Sequence, residues 1–392
     1  MMGFVGIRAY RKRITDALVI VALGVVLVAL VMFPEQTVSA AQAGLSLCAN
    51  TIVPSLFPFF VLSSMIAATG VTKHLRRLLE PVMRPLFNVG GGCVAAFALG
   101  FVGGYPVGAR TVISMYENGS CSEVEAERLL SFCNNSGPAF IFGIVGAGVF
   151  SSGKIGLLLY LIHSVASIIV GILFRNWGKN PPLFERCSAA QSVQTVPFLK
   201  AFSGGVQTAV ASSLNICGFV IFFTIFIKLL FFSGLLPAIA GFIGTIFAPV
   251  GFDKAWAERL LTGIIELTSG VWTLKGVEGQ ITGSVAMAAF MLGWAGLSVH
   301  SQVLSFIGES GLSVKTYIIG KFLQGVISAG LVLIVSRVMT LDIPAAYLAQ
   351  QVSEITSLGF LNSLLISSIG AATILTAILI ASWHETKRRN RT

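Results

Sequence analysis

The block Cys133-Asn134-Asn135-Ser136-Gly137-Pro138 interrupts an apolar stretch with two adjacent amides, a hydroxyl and a helix-breaking Gly-Pro pair. It offers side-chain donors and acceptors together with backbone groups freed from a helix ladder, which suits it to holding a polar ligand. The same side chains could instead act as hydrogen-bonding glue between helices. A second cluster runs Gly103-Gly104-Tyr105-Pro106-Val107-Gly108-Ala109-Arg110. Exposed N–H groups where a half-helix restarts make a ready anion site. Arg110 could pair with a carboxylate through two parallel hydrogen bonds, or it could snorkel to an interface. Glu266, in Glu266-Leu267-Thr268-Ser269-Gly270, follows an apolar run. It could carry a proton or bind a cation; equally it could pair with Lys275 or Arg259. The fourth cluster is Ser298-Val299-His300-Ser301-Gln302, where His300 could titrate near neutral pH or be satisfied by a neighbouring hydroxyl.

The substrate-binding candidates are therefore Asn134, Asn135, Ser136, Gly103, Gly104, Tyr105, Arg110, Ser298, His300 and Gln302, with Glu266 as a candidate coupling residue. His163 stays undecided, and Lys228, near a helix end, reaches an interface. The acidic run Glu123, Glu125, Glu127 reads as a solvated helix N-terminus. No catalytic constellation is visible: there is no P-loop, no Gly-x-Ser-x-Gly elbow, no paired aspartates and no His-Glu-x-x-His helix. No cofactor is expected and no enzyme activity. The six cysteines (Cys48, Cys93, Cys121, Cys133, Cys187, Cys217) lack ligand spacing and imply neither a metal site nor a disulfide framework.

The elements that position these clusters must be membrane helices. The chain is 55% hydrophobic and 11% charged, with a mean hydropathy of +0.87. A soluble chain of 392 residues needs far more charge to cover its surface. Apolar runs long enough to span a bilayer recur throughout, without the short alternating strands of a β-barrel. The net charge of +10 does not point to nucleic acid. Its basic residues (Arg8, Arg11, Lys12, Arg13; Lys73, Arg76, Arg77; Lys387, Arg388, Arg389, Arg391) flank apolar spans, as positive-inside signals do.

Residues 17–33 predict a retained first span, followed by a polar outer loop from Glu35 to Gln42. The segment 45–70 holds Asn50, Pro54 and Pro58 and should kink or unwind. Residues 72–88 predict an amphipathic helix on the cytoplasmic face. Residues 92–116 predict a re-entrant hairpin, because a full crossing would place Arg175, Lys179, Arg186 and Lys200 outside. Spans at 129–150 and 155–174 follow. The second half is expected to run 205–232, 235–250, an interfacial turn with Asp253 to Arg259, and 260–275. It continues with a second broken hairpin at 283–306, a span at 314–339, an amphipathic stretch at 342–357 and a last span at 361–382.

One internal repeat supports two related halves. Ala95-Ala96-Phe97-Ala98-Leu99-Gly100-Phe101 returns as Ala288-Ala289-Phe290-Met291-Leu292-Gly293-Trp294, with five of seven positions identical and a glycine-rich break after each. A membrane chain that repeats a broken apolar segment reads as a secondary transporter with its ligand held where the copies meet. The expected fold is an all-α polytopic membrane protein with two inverted repeats, each with a broken or re-entrant helical hairpin, and about 8–11 membrane segments. The expected division is 1–44, an N-terminal helix and loop; 45–174, the first gate-like repeat; 175–200, a cytoplasmic linker; 201–340, the second repeat; and 341–392, an amphipathic stretch, last span and basic tail.

The Gly103-Gly104-Tyr105-Pro106-Val107-Gly108-Ala109 and Cys133-to-Pro138 blocks, with Gly293-Trp294-Ala295-Gly296-Leu297-Ser298-Val299-His300-Ser301-Gln302, resemble the YlbJ-type sporulation integral membrane proteins over roughly residues 45–340. Those proteins contain nucleoside-recognition gate domains distantly similar to parts of concentrative nucleoside transporters. The resemblance implies a role in endospore formation, in the outer forespore membrane, and carriage of dipicolinic acid from the mother cell toward the forespore. Dipicolinate is a flat pyridine with two carboxylates, so its site should offer positive charge, amide donors and apolar walls. Arg110, Asn134, Asn135, two hairpin N-termini and Tyr105 or Trp294 could supply these.

The leading expectation is a secondary transporter of a small organic anion, working by alternating access, with the lipid bilayer as its other partner; homo-oligomerisation stays open. Glu266 or His300 could couple a proton, although downhill movement needs no coupling ion. The alternatives are a nucleoside or nucleobase permease, which would depend less on Arg110, and a non-transporting scaffold for spore assembly.

Overall fold

Prolines and glycines, far more than charges, decide where these helices bend. The structure, a computed structural model, describes residues 16–338 apart from 18–19, 22, 69–70, 179–197 and 278–280. Among the described residues it is helical, without strands. The short apolar helix α1 (Leu23–Met32) is followed directly by α2 (Pro34–Leu47). The expected outer loop at Glu35–Gln42 is therefore helix, started by Pro34, whose ring suits the first helical turn where no N–H partner is needed. Near Asn50 the chain winds as a π-helix (Cys48–Ile52) before α3 (Val53–Ala68). The Val53 N–H reaches back to the Cys48 carbonyl. Pro54 has no N–H to give the Asn50 carbonyl, and the wider turn accommodates that gap.

The first half then folds as α4 (Val71–Phe87), a single 3₁₀ turn (Gly91–Cys93), α5 (Val94–Val102), α6 (Val107–Glu117), α7 (Glu123–Phe132), a π-type helix (Ala139–Val149) and α8 (Gly153–Leu173). The axis turns by 109° between Leu79–Phe87 and Gly91–Val102. α5 and α6 pack on each other as the arms of a hairpin. A Cβ on Gly108 would lie 3.0 Å from the Gly100 Cα, so these two glycines mark where the arms cross. A Cβ on either would also collide with the Cys133 carbonyl, which seats the hairpin on the helix break that follows α7. The acidic run there is a helix N-terminus as expected, with Glu123 exposed, but the other two carboxylates are not solvated. Glu125 is buried, forms a capping box with Ser122 and accepts the Gly90 N–H at 2.8 Å, while Glu127 accepts from Trp177 and Ser313.

The second half comprises α9 (Phe198–Phe232), α10 (Leu235–Phe247), α11 (Lys254–Ile265), α12 (Leu267–Trp272), α13 (Ile281–Trp294), α14 (Gly296–Ser310) and α15 (Val314–Val338). Its hairpin is α11–α12, not the expected 283–306. A Cβ on Gly270 would strike the Gly263 backbone, so Gly263 and Gly270 cross as Gly100 and Gly108 do. Segment Ile281–Ser310 runs on through its break as one 30-residue apolar span. The two halves thus share one order: long helix, short helix, hairpin, broken span, long helix. α3 matches α9, the α5–α6 hairpin matches α11–α12, the broken span 123–149 matches 281–310, and α8 matches α15. The long helices α3 and α9 pack together, as do α8 and α15, along the seam between the repeats.

Five helices among the described residues are long and apolar enough to cross a membrane: Pro34–Met65, Gly153–Asn176, Phe198–Phe232, Ile281–Ser310 and Val314–Val338. Leu23–Met32, Ala139–Val149 and Leu235–Val250 are shorter apolar helices. The chain is an integral membrane protein whose two halves repeat one order of helices. The N-terminal basic cluster, most of the 175–200 linker with Cys187, the amphipathic stretch at 342–357, the last span at 361–382 and the basic tail lie outside the described residues.

Candidate functional site

The two hairpin tips and the breaks of both broken spans meet at one narrow cleft of about 50 Å³, room for a few waters. Its polar lining is Gly103, Gly104, Tyr105 and Ser136 from the first half and Glu266, Thr268, Ser298 and Gln302 from the second. Apolar walls come from Phe59, Phe60, Val102, Phe140, Ile216 and Val220. Two lining atoms, Ser136 Oγ and Gln302 Oε1, are buried and bond to nothing within the described residues. Polar atoms in that position favour occupation by a ligand or water, since a buried polar group without a partner is costly.

Local chemistry explains each break. Gly104 has φ +72°, and a Cβ there would lie 3.0 Å from the Gly137 N, so the first hairpin tip rests on the break of its own half. In the second half the break is Ala295 and Gly296, both left-handed (φ +78° and +82°). A Cβ on Gly296 would lie 2.9 Å from the Leu267 N, on the second hairpin tip. Ala295 is a non-glycine residue in that region, a strained position of the kind that persists where packing holds it.

Glu266 is the tip of the second hairpin and caps α12, accepting the Thr268 N–H at 3.0 Å and the Ser269 N–H at 2.6 Å. It pairs with neither Lys275 nor Arg259. Those cations stack on Trp272 and Trp256, and Arg259 also donates to the Thr273 carbonyl. Trp294 closes the tip from behind, its indole N–H donating to the Ile264 carbonyl at 3.1 Å.

Asn134 and Asn135 do not line the cleft. Both are fully buried and hold the elements behind it. Asn134 Oδ1 accepts the Ala109 N–H at 3.4 Å and Nδ2 donates to the Tyr317 hydroxyl at 3.4 Å. Asn135 Nδ2 donates to the Phe132 carbonyl and to Ser167 Oγ, and its Oδ1 accepts from Gln324 at 2.8 Å. His163 Nε2 accepts the Ser136 N–H at 3.1 Å, which puts the imidazole proton on Nδ1. His300 Nδ1 lies 2.9 Å from the Tyr317 hydroxyl, outside the lining. Arg110, expected at the anion site, is exposed and stacks on the Phe306 ring at 5.8 Å, away from the cleft.

The positive charge near the cleft belongs to a residue that sequence reasoning missed. Lys321, on α15, is fully buried. Its Nζ donates to Tyr105 Oη at 2.9 Å, to the Asn134 carbonyl at 2.8 Å and to Gln324 Oε1 at 2.7 Å. Tyr105, itself in the cleft wall, donates onward to the Leu292 carbonyl at 2.7 Å. Lys321 therefore stands one side chain behind the lining. The signal that could have found it is a lone ionisable residue inside an apolar span.

A family model described as nucleoside-recognition gate matches residues 49–173, from just before α3 to the end of α8. The sporulation integral membrane protein YlbJ of Bacillus subtilis (strain 168) is 31% identical over 317 residues, covering 77% of this chain and 78% of YlbJ. Among solved structures, a doubly substituted CNTnw in an outward-facing state superposes with a TM-score of 0.54 at 14% identity, over 83% of this chain and 85% of that one. CNTnw in an intermediate state gives 0.51 at 14% identity, over 85% and 86%. At such identity the likeness to CNTnw is one of fold. The chain belongs to the YlbJ family of sporulation integral membrane proteins.

Proposed function

We propose that this member of the YlbJ family is a carrier rather than an enzyme, that it moves a small organic anion, and that the anion is dipicolinate crossing the outer forespore membrane during endospore formation. Membership of the family and a transporter-like fold support carriage. The observation that favours an anion is Lys321, a buried positive charge behind the cleft wall whose partners are all neutral oxygens. A flat heteroaromatic dicarboxylate suits the remaining lining. Ser136, Ser298 and the Gln302 amide offer donors, and Phe59, Phe60 and Phe140 offer apolar faces. Alternating access then consists of the two hairpins, each seated on a glycine crossing, opening in turn on opposite sides of the same cleft.

A second reading, a nucleoside or nucleobase permease, is favoured by one feature: the Glu266 carboxylate faces the same cleft. A carboxylate there disfavours an anion and suits the hydroxyls of a neutral ligand. The test is binding of dipicolinate and of uridine to purified protein in detergent, beside Ser136→Ala and Gln302→Ala. Saturable dipicolinate binding, weakened about tenfold or more by either substitution, is the expected result. Preferential uridine binding supports the second reading. A folded protein that binds neither sinks both, and shifts weight to a scaffold for spore assembly.

A further inference from the structure

The partners of Lys321 are arranged to receive an ammonium. The Tyr105 hydroxyl gives its proton to the Leu292 carbonyl, so toward Lys321 it must accept. The Gln324 amide nitrogen donates to Asn135, which turns its oxygen toward Nζ. The third partner, the Asn134 carbonyl, can only accept. Three obligate acceptors require three N–H donors, and only the ammonium form supplies them. The charge also sits just past the C-terminal end of α7, where the half-helix dipole favours a cation. Three charge-assisted bonds and that dipole offset the cost of burying an ammonium without a carboxylate.

The place of this ammonium is informative. It joins a hairpin tip (Tyr105), the unwound carbonyl of one broken span (Asn134) and, through Tyr105, the last turn of α13 before the break of the other broken span (Leu292). Unwound carbonyls at helix breaks are where transporters of this general construction bind coupling cations such as sodium. We propose that Lys321 is a tethered cation: its ammonium bridges the first hairpin tip to the helix break in the role of an exchangeable alkali-metal ion, so the cleft is organised without sodium. This assignment stands independently of the substrate. Only its corollary, that transport needs no sodium gradient, rests on the carrier reading above.

The full chain, purified in detergent, is melted in equal concentrations of sodium, potassium or choline chloride, with no organic ligand present. The unsubstituted protein should melt at one temperature in all three salts. Lys321→Ala, which leaves the three oxygens around an empty volume, should melt lower in choline and recover roughly 2–4 °C on saturable addition of sodium. Lys321→Met, which fills the space with a thioether, should melt lower and ignore the salt. A saturable sodium shift in the unsubstituted protein overturns the proposal. So does a Lys321→Ala chain that melts like its parent or gains nothing from any alkali cation. If neither variant folds, hydrogen exchange at the α5–α6 amides of the unsubstituted protein decides the matter. Equal protection in sodium and choline upholds the tethered cation, and sodium-dependent protection overturns it.

Discussion

The two hairpins occupy matching places in the repeats but are built on opposite terms. The first has a neutral tip, Gly103 to Pro106, that borrows its charge from α15 through the Tyr105–Lys321 bond. Its arms cross at Gly100 and Gly108 directly on the Cys133 carbonyl, backbone against backbone. The second carries its own charge, Glu266, and satisfies it locally on the N–H groups of α12. Its outer crossing glycine, Gly263, meets the flexible side chain of Met291 rather than a carbonyl. The first hairpin is thus fastened to the other half of the molecule, whereas the second is held by bonds within its own half, such as Trp294 to the Ile264 carbonyl. A hairpin with local satisfaction and a yielding neighbour is the one that can open at lower cost, so the second should be the more mobile gate.

The largest effect that can break this comparison is steric. Gly108→Ala should destabilise by about 3 kcal/mol or more, because backbone cannot move aside for the new methyl; Gly263→Ala should cost about 1 kcal/mol as Met291 adjusts. Unfolding by detergent titration or heat compares the two, and equal losses would remove the asymmetry. Next comes Tyr105→Phe, which strips Lys321 of one acceptor and frees the Leu292 carbonyl. A loss of about 2 kcal/mol is expected, with hydrogen exchange rising at the first hairpin more than at the second. Glu266→Gln should act on binding more than on stability. Removing the carboxylate from the cleft should tighten dipicolinate about tenfold and leave a neutral nucleoside unchanged or weaker. The smallest effect belongs to Arg110→Ala, which should shift stability by less than about 0.5 kcal/mol and leave dipicolinate binding intact. A large loss there would return the anion site to the outer face of α6.

Much of this architecture was legible in the residues. Asn134 to Pro138 marked a true helix break, Pro54 marked the π-turn, and Gly103 to Gly108 marked the tip of a helical hairpin. The internal repeat was legible too, yet it aligned the wrong elements. Ala95–Phe101 lies on a hairpin arm, and Ala288–Trp294 lies on a broken span. Both helices need small residues and a glycine at a close backbone approach: Gly100 against Cys133 and Gly293 against Gly325. The shared pattern therefore records a shared packing demand, not a shared place in the repeat. Asn134 and Asn135 drew notice as ligand groups because amides in apolar surroundings signal a polar network, but sequence cannot say whether that network faces a cleft or backs it. Lys321 was overlooked because one lysine barely alters the hydropathy of a 25-residue apolar helix, although it is the buried cation that stands behind the cleft wall.

The central claim, that a carrier for an organic dianion works at this cleft, is tested most directly by counterflow in proteoliposomes. Vesicles loaded with unlabelled dipicolinate are given labelled dipicolinate outside, with choline replacing every alkali-metal cation. The unsubstituted chain should accumulate label transiently above equilibrium, and Gln302→Ala should abolish that overshoot while inserting and folding normally. Folded, correctly inserted protein that shows no overshoot with dipicolinate, or an overshoot that Gln302→Ala and Ser136→Ala leave untouched, would contradict it.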